Sequence, residues 1–199
     1  QDFKKMDFLR GEVINQKYKI KGFSTPSRKF ELYATLLEQW GYDPLPQYRE
    51  PPESPYSTPE RFKDYPYILI TGRRSPGFFH TENRQLPWLR KLHRDPIVEI
   101  HPQTANKEGI TEDEWVVIES PRGKVRQRAK FFEGMDPKVI SAEHAWWFPE
   151  KKEPTHGWDE SNINILTDNA YETCDPAMGA THVRTLLCRI YPENQGAGL

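Results

Sequence analysis

Cysteine is scarce: 199 residues contain only Cys174 and Cys188. Two are too few for a disulfide scaffold, and their spacing is not that of a zinc-ligand pair. Cys188, inside Leu186-Leu187-Cys188-Arg189-Ile190, reads as a small buried apolar residue. An excess of one charge is also lacking. The 28 Lys and Arg against 29 Asp and Glu leave a formal net charge of -1, so no global field favours nucleic acid or an anionic membrane. No apolar run approaches the roughly 20 residues a membrane-spanning helix needs, so direct membrane insertion is not expected. The opening residues Gln1 to Met6 lack the apolar core of a signal peptide, which leaves the compartment open. A first residue that is not Met reads as a piece cut from a longer chain.

What is abundant is proline and aromatic residues. Eighteen Pro, 10 Phe, 9 Tyr and 6 Trp describe many short elements joined by rigid loops, which excludes a helical bundle. Residues 1–25 read as a connection with one short strand, Tyr18 to Lys21. Apolar residues at Phe30, Tyr33, Leu36, Leu37 and Trp40 have helical spacing, so a helix is expected over about residues 29–40, stopped by Gly41. Residues 43–59 are too rich in proline for helix or sheet and read as an extended strap. Residues 1–63 thus form a lead-in arm, residues 64–192 an autonomous domain, and residues 193–199 a disordered tail.

Short strands dominate the second part. They are expected at Tyr67 to Ile70, Ile97 to His101, Glu114 to Glu119, Lys124 to Phe132, Val139 to Glu143 and Arg184 to Tyr191. Leu86 to Leu92 and Pro102 to Gly109 read as short helices, and Ser120-Pro121-Arg122-Gly123 as a hairpin turn. The fold class is mainly β with short helices: a β-barrel preceded by an extended and helical N-terminal arm.

Three places carry candidate chemistry. The Tyr67 to Ile70 strand runs into Thr71-Gly72-Arg73-Arg74, read as a tight turn, and then His80-Thr81-Glu82-Asn83-Arg84. A tight turn with clustered cationic donors lets backbone approach an anionic, heteroatom-rich ligand. His144-Ala145-Trp146-Trp147-Phe148-Pro149 follows a strand. Adjacent tryptophans alternate faces there, so one packs inward and the other covers a surface, with a π-face available for stacking on a heterocycle or for ordinary packing. No Ser, Cys or acid stands at a spacing that makes His144 a catalytic base. In Glu160 to Asp168, Asn162 and Asn164 share a face if the segment is extended, and their amides match a pterin or guanine edge. Asn, Thr and Asp also form turns. His101, His156 and His182 show no metal-ligand spacing.

Taken in order, these motifs resemble the C-terminal molybdopterin-dinucleotide-binding domain of the molybdenum and tungsten oxidoreductase family that includes dimethyl sulfoxide reductase, formate dehydrogenase and polysulfide/thiosulfate reductase. The likeness runs from about Thr25 to Pro192. It rests on Thr25 to Tyr33, Tyr42 to Pro46, Leu69 to Arg73, His80 to Arg84, Val98 to Pro102, Ser120 to Gly123, His144 to Pro149, Asn162 to Thr167 and Arg184 to Arg189. Arg28 departs from the pattern, standing where glycine is common. The His80-to-Arg84 and Trp146-to-Pro149 patterns are closer to polysulfide/thiosulfate reductase-like and acetylene hydratase-like members.

The resemblance implies a double-psi β-barrel closing over a bis-(molybdopterin guanine dinucleotide) cofactor that carries molybdenum or tungsten. It implies that Thr71, Gly72 and Arg73 lie against the dinucleotide and that His80 and Thr81 contact a pterin or phosphate. Asn83, His144 and Trp146 belong to the same cofactor-binding set. Asn164, beside Asn162 and Thr167, would hydrogen-bond a pterin edge, and Arg184 stands where formate dehydrogenase-like members have a cation that reaches the pterin. No catalytic residue and no metal ligand is expected in this chain. The metal ligand and any iron–sulfur cluster belong to other domains of the same catalytic subunit, and an iron–sulfur electron-transfer subunit is a further partner. The contrasting reading is a non-catalytic β-barrel that serves as a structural or interaction module.

Overall fold

The computed structural model describes residues 13–73, 75–175 and 177–194. The chain divides into two compact units, Gln1–Arg49 and Glu50–Leu199. Residues 50–63, read from sequence as part of the arm, are thus in the second unit. Residues 195–199 of the expected tail lie outside the described residues, while Glu193 pairs with Arg126 at 3.0 Å.

In the first unit the expected strand at Tyr18 is instead a short helix, α1 (Lys17–Lys21). Gln16 enters it from a left-handed conformation (φ 53), Gly22 N–H closes it on the Tyr18 carbonyl at 2.9 Å, and the Tyr18 ring stacks on Phe23. The expected helix over residues 29–40 shrinks to α2 (Thr35–Gln39). Its upstream half is diverted: Arg28 closes a turn back to Phe23, and Ala34 N–H donates to the Pro44 carbonyl at 2.8 Å rather than to a helical partner. Gly41 (φ 81) ends the helix as expected. Arg28 has φ 57, so the residue standing in a glycine-favoured position adopts the backbone that glycine favours.

The second unit contains α3 (Pro59–Asp64), β1 (Tyr67–Arg73), α4 (Pro87–Leu92), β2 (Ile97–Ile100), α5 (Pro102–Glu108), β3 (Trp115–Ser120), β4 (Gly123–Phe131), β5 (Val139–Glu143), α6 (Trp158–Ser161) and β6 (Leu186–Pro192). Proline opens α3, α4 and α5, where its missing N–H costs nothing. The six strands close into a barrel in the order β1-β5-β2-β4-β3-β6. Two pairs are parallel, β1 with β5 and β2 with β4, and the rest antiparallel, so the expected double-psi barrel is the observed fold. The β4 burial pattern alternates, which leaves the one solvated face its sequence predicts.

Inside the barrel, Leu69, Val98, Ile100, Val116, Ile118, Ile140 and Ala142 are removed from water, and Ile163 and Leu166 pack onto the same cluster. Each aliphatic side chain of this size contributes about 1.5–3 kcal/mol on burial. Cys188 is part of this core; burial pushes its thiol well up, which leaves it an inert apolar group as expected. Among the buried polar side chains, Gln127 is 0% exposed. Gln127 (β4) donates to the carbonyls of Glu143 at 2.8 Å and Ser161 at 3.3 Å and accepts from Glu143 N–H at 3.1 Å. A fully paired buried amide stabilises only this arrangement of β4, β5 and α6.

Strand register defines the two ends of the barrel. Leu69 pairs with Leu186 antiparallel, Leu69 pairs with Ile140 parallel, and Glu119 pairs with Arg189 antiparallel. The C-terminal ends of β1, β3 and β5 and the N-terminal ends of β2, β4 and β6 therefore share one end of the barrel.

Candidate functional site

The three stretches that carry candidate chemistry gather at that one end. Thr71, Gly72 and Arg73 close β1, the loop carrying His80, Thr81 and Asn83 follows it, and His144 follows β5. The Ser120-to-Gly123 hairpin joins β3 to β4, and Arg184 leads into β6. The structure corrects one local reading: Thr71-Gly72-Arg73 is not a tight turn but the last part of β1. Pairing with β5 becomes irregular between Ile70 and Arg73, which re-aims the strand there and brings Arg73 opposite Glu143.

The first cluster forms where the loop after β1 meets the segment after β5. His80 Nδ1 and His144 Nε2 stand 2.9 Å apart, their rings in an edge arrangement. Trp147 Nε1 donates to the Thr81 carbonyl at 2.7 Å. His80 (φ 49), Asn83 (φ 70) and Ala145 (φ 59) all hold left-handed backbone, a costly state for residues with a Cβ that only surrounding contacts maintain. Below them lies Arg84, 1% exposed, its guanidinium 4.0 Å from the centre of the Trp146 ring and 4.6 Å from that of Phe78. Burial pushes this guanidinium down to about 10; the Glu143 carboxylate opposes the shift and Arg90 adds to it. His93 Nε2 lies 2.6 Å from Glu143 Oε2, which also accepts the Ile97 N–H at 3.2 Å. Ser75, Phe78, His80, Arg84, Glu143 and His144 line a cavity of about 80 Å³.

Trp146 corrects another expectation. It is fully buried between Phe78, Phe148, His93 and Arg84, so it has no open face for stacking on a heterocycle. The neighbouring tryptophans do take opposite sides; Trp146 is the inward one and Trp147 the partly exposed one.

The second cluster is built on the β3–β4 hairpin. Arg122 Nε donates to the Leu166 carbonyl at 2.7 Å and Ser120 Oγ donates to the same oxygen at 3.2 Å, holding a 3-10 turn, Ile163–Leu166, against the hairpin. The extended reading of Asn162 and Asn164 is overturned. Asn162 Oδ1 accepts the Asn164 N–H at 3.1 Å and caps the 3-10 turn, the ordinary use of an Asn before a helical turn. Asn164 is exposed, and Thr167 Oγ donates to its carbonyl at 2.9 Å, so only the Asn164 amide of this trio is free of these local bonds. Asp168 is held below the usual carboxylate range, first by the Ala170 N–H and then by Arg122. Arg184 is exposed two residues before β6. Gln127 joins the clusters, since its amide bonds both Glu143, next to His144, and Ser161, next to Asn162.

Sequence reasoning did not assign Arg84, Glu143, Arg122 or Gln127. The signal for Arg84 was present: a charge three residues beyond Thr81, among Phe78, Phe79 and Leu86, has apolar neighbours on both sides. Among the described residues no group of three or more His, Cys, Asp or Glu side chains is placed to hold a metal ion. No helix among them is long and apolar enough to cross a membrane.

A closed barrel with imidazole, amide and guanidinium donors gathered at one end is the class of domain the fold and candidate site define. The sequence model of the Molydopterin dinucleotide binding domain matches residues 67–185, and the chain belongs to that family. It is 41% identical to dopamine dehydroxylase of Eggerthella lenta over 197 residues, covering 96% of this chain and 19% of that protein. It is 35% identical to acetylene hydratase of Syntrophotalea acetylenica over 169 residues, 82% of this chain and 23% of the relative. The solved acetylene hydratase from Pelobacter acetylenicus superposes with a TM-score of 0.81 at 32% identity, covering 86% of this chain and 24% of that one. The chain thus spans about a fifth of the curated relatives it matches, which include catalytic subunits of molybdopterin oxidoreductases.

Proposed function

We propose that the chain holds a bis-(molybdopterin guanine dinucleotide), with molybdenum or tungsten, as the cofactor-capping domain of an oxidoreductase catalytic subunit. The observation that supports this most directly is the convergence of His80, Thr81, His144, Asn164 and Arg184 at the same end of the barrel by strand register. The donor set suits the group. The Asn164 amide offers a donor and an acceptor side by side, as a pterin or guanine edge requires, and the exposed Arg184 offers charge to a phosphate. Arg84 Nη1 is a buried donor without a protein partner, the kind of orphan that an oxygen-rich ligand satisfies. When bound, the cofactor supplies the redox chemistry of the metal; the residues of this chain bind and orient it and exclude water from one side.

The metal ligand and iron–sulfur centres are assigned to other domains of the same subunit, with an iron–sulfur protein as electron partner. Small organic molecules are the first substrate class to try. Reductive removal of a catechol hydroxyl leads, supported by 41% identity over nearly the whole chain to a dopamine dehydroxylase. Metal, pterin and guanine nucleotide analysis of the full-length protein tests the assignment. The native protein is expected to carry two pterin nucleotides per metal, and Asn164→Ala to carry less. A native protein without pterin overturns the reading.

A further inference from the structure

A buried arginine is expensive unless its charge and N–H groups are used, and the Nη1 amino group of Arg84 is unaccounted for. Nε donates to the Ala145 carbonyl at 3.1 Å, and Nη2 donates to the carbonyls of His80 at 3.0 Å and His144 at 3.4 Å. Two of those carbonyls belong to the residues whose imidazoles stand 2.9 Å apart. Two of the three, those of His80 and Ala145, belong to residues in left-handed backbone, so the guanidinium holds the chain in conformations it would otherwise leave. A lysine could not take three carbonyls in these directions, because the planar fork of guanidinium sets the angles. The rings of Phe78 and Trp146 fix the plane of that fork.

Nη1 makes no hydrogen bond although it is buried, and Arg84 forms part of the wall of the small cavity it shares with His80, Glu143 and His144. Holding the three carbonyls needs only Nε and Nη2. Arg84 also lines a second cavity, with Arg90 and Glu150, and an acceptor from outside the chain is what the remaining donor lacks. We propose that Arg84 is a positioning residue of the cofactor face: it holds His80 and His144 as one unit through their carbonyls and offers Nη1 to an oxygen of the bound pterin dinucleotide. This rests on the reading of that face given above.

The full-length protein carries the test, with Arg84→Ala, Arg84→Met and Arg84→Lys compared. Two quantities are read: pterin, guanine nucleotide and metal content per chain, and amide hydrogen exchange of a peptide covering residues 75–84. Arg84→Met keeps an apolar stem between the rings but has no donors, so it is expected to fold. It should lose cofactor on dilution about 10–100-fold faster than native, the range for groups that orient binding residues. The 75–84 amides should exchange about tenfold faster in the same variant. Methylguanidine should refill the space in Arg84→Ala and restore both readings, whereas methylammonium, and Lys in Arg84→Lys, should not. Native-like cofactor content and exchange in Arg84→Met overturns the proposal, as does rescue by methylammonium equal to that by methylguanidine. If the native protein lacks pterin, the part concerning Nη1 falls together with the assigned function, and the exchange readings alone decide the positioning part.

Discussion

Glu53 and Arg122, 69 residues apart in sequence, form a two-pronged ion pair, with Nη1 to Oε2 at 2.7 Å and Nη2 to Oε1 at 3.1 Å. The same carboxylate accepts Leu187 N–H of β6 at 2.6 Å and Arg61 Nη1 of α3 at 3.0 Å. The Arg122 Nε then reaches the Leu166 carbonyl. A single carboxylate therefore ties the proline-rich strap, the β3–β4 hairpin, the start of β6 and the turn carrying Asn164. Burial acts to raise the Glu53 carboxyl, but the hydrogen bonds from Arg122 and Leu187 outweigh it and hold it below its usual value.

Glu53→Gln should be strongly destabilising. The amide oxygen can still accept from Leu187, but the amide nitrogen then faces arginine donors and Arg122 loses its counter-charge. Breaking one side of a mostly buried pair costs about 3–5 kcal/mol, and partial exposure of Arg122 reduces this to about 2–4 kcal/mol. The urea midpoint reads the effect. An unchanged midpoint would show that the strap is not fastened through this residue.

Acid should act on the same group. Glu53, Glu119 and Glu160 are all held below their ordinary values, against the effect of burial, by hydrogen bonds and charges: Arg122 for the first, Arg189 and Tyr191 for the second, Lys151 and Arg126 for the third. A carboxyl with a lowered folded pKa contributes stability that is complete above its unfolded value of about 4.3 and is lost as pH falls through the folded value. The urea midpoint is therefore expected to vary little between about pH 5 and 7 and to fall progressively below about pH 4.5. In Glu53→Gln the decline should be shallower, because one of the three groups no longer titrates.

The barrel was legible in the sequence because its short strands are rich in β-branched and aromatic residues and punctuated by proline and glycine, as Trp115 to Ser120 is by Pro121, and because Gly123 to Phe131 alternates. The ends of elements were less so. Thr71-Gly72-Arg73 has turn composition, yet pairing with β5 keeps it in the strand, a tertiary contact that no local pattern encodes. The helix expected over residues 29–40 lost its first half to the Ala34-to-Pro44 hydrogen bond, again a non-local competitor. Of the candidate site, the sequence singles out the loops but not the side chains that support them. Arg84 and Glu53 look like surface charges in sequence, and their burial follows from tertiary contacts that no local pattern encodes.

Gly123 begins β4 where the Ile163–Leu166 turn comes closest. A Cβ there would meet Ile165 Cγ2 at 2.7 Å and the Ile165 carbonyl oxygen at 3.4 Å. Gly123→Ala should cost about 1–3 kcal/mol through this overlap. Ile165→Ala removes the methyl in question, so the double variant should be more stable than the sum of the two single changes predicts, by about 0.5–3 kcal/mol. Strict additivity in urea unfolding would place the strain elsewhere.

The two adjacent tryptophans offer the sharpest contrast within one dipeptide. Trp146 fills the space between Phe78, Phe148 and His93 and supplies a face for the Arg84 guanidinium, so Trp146→Ala leaves both a large cavity and a cation without its ring. A loss of about 3–5 kcal/mol is expected. Trp147 donates one hydrogen bond from its indole to the Thr81 carbonyl and meets the His156 ring edge-on. Trp147→Phe keeps an aromatic ring and removes that bond, so it should cost only about 0.5–1.5 kcal/mol. Because Thr81 follows His80, the loosened anchor should still speed amide exchange in residues 79–83 while leaving the barrel strands unchanged. Equal stability losses in the two variants would contradict the inward and outward assignment of the pair.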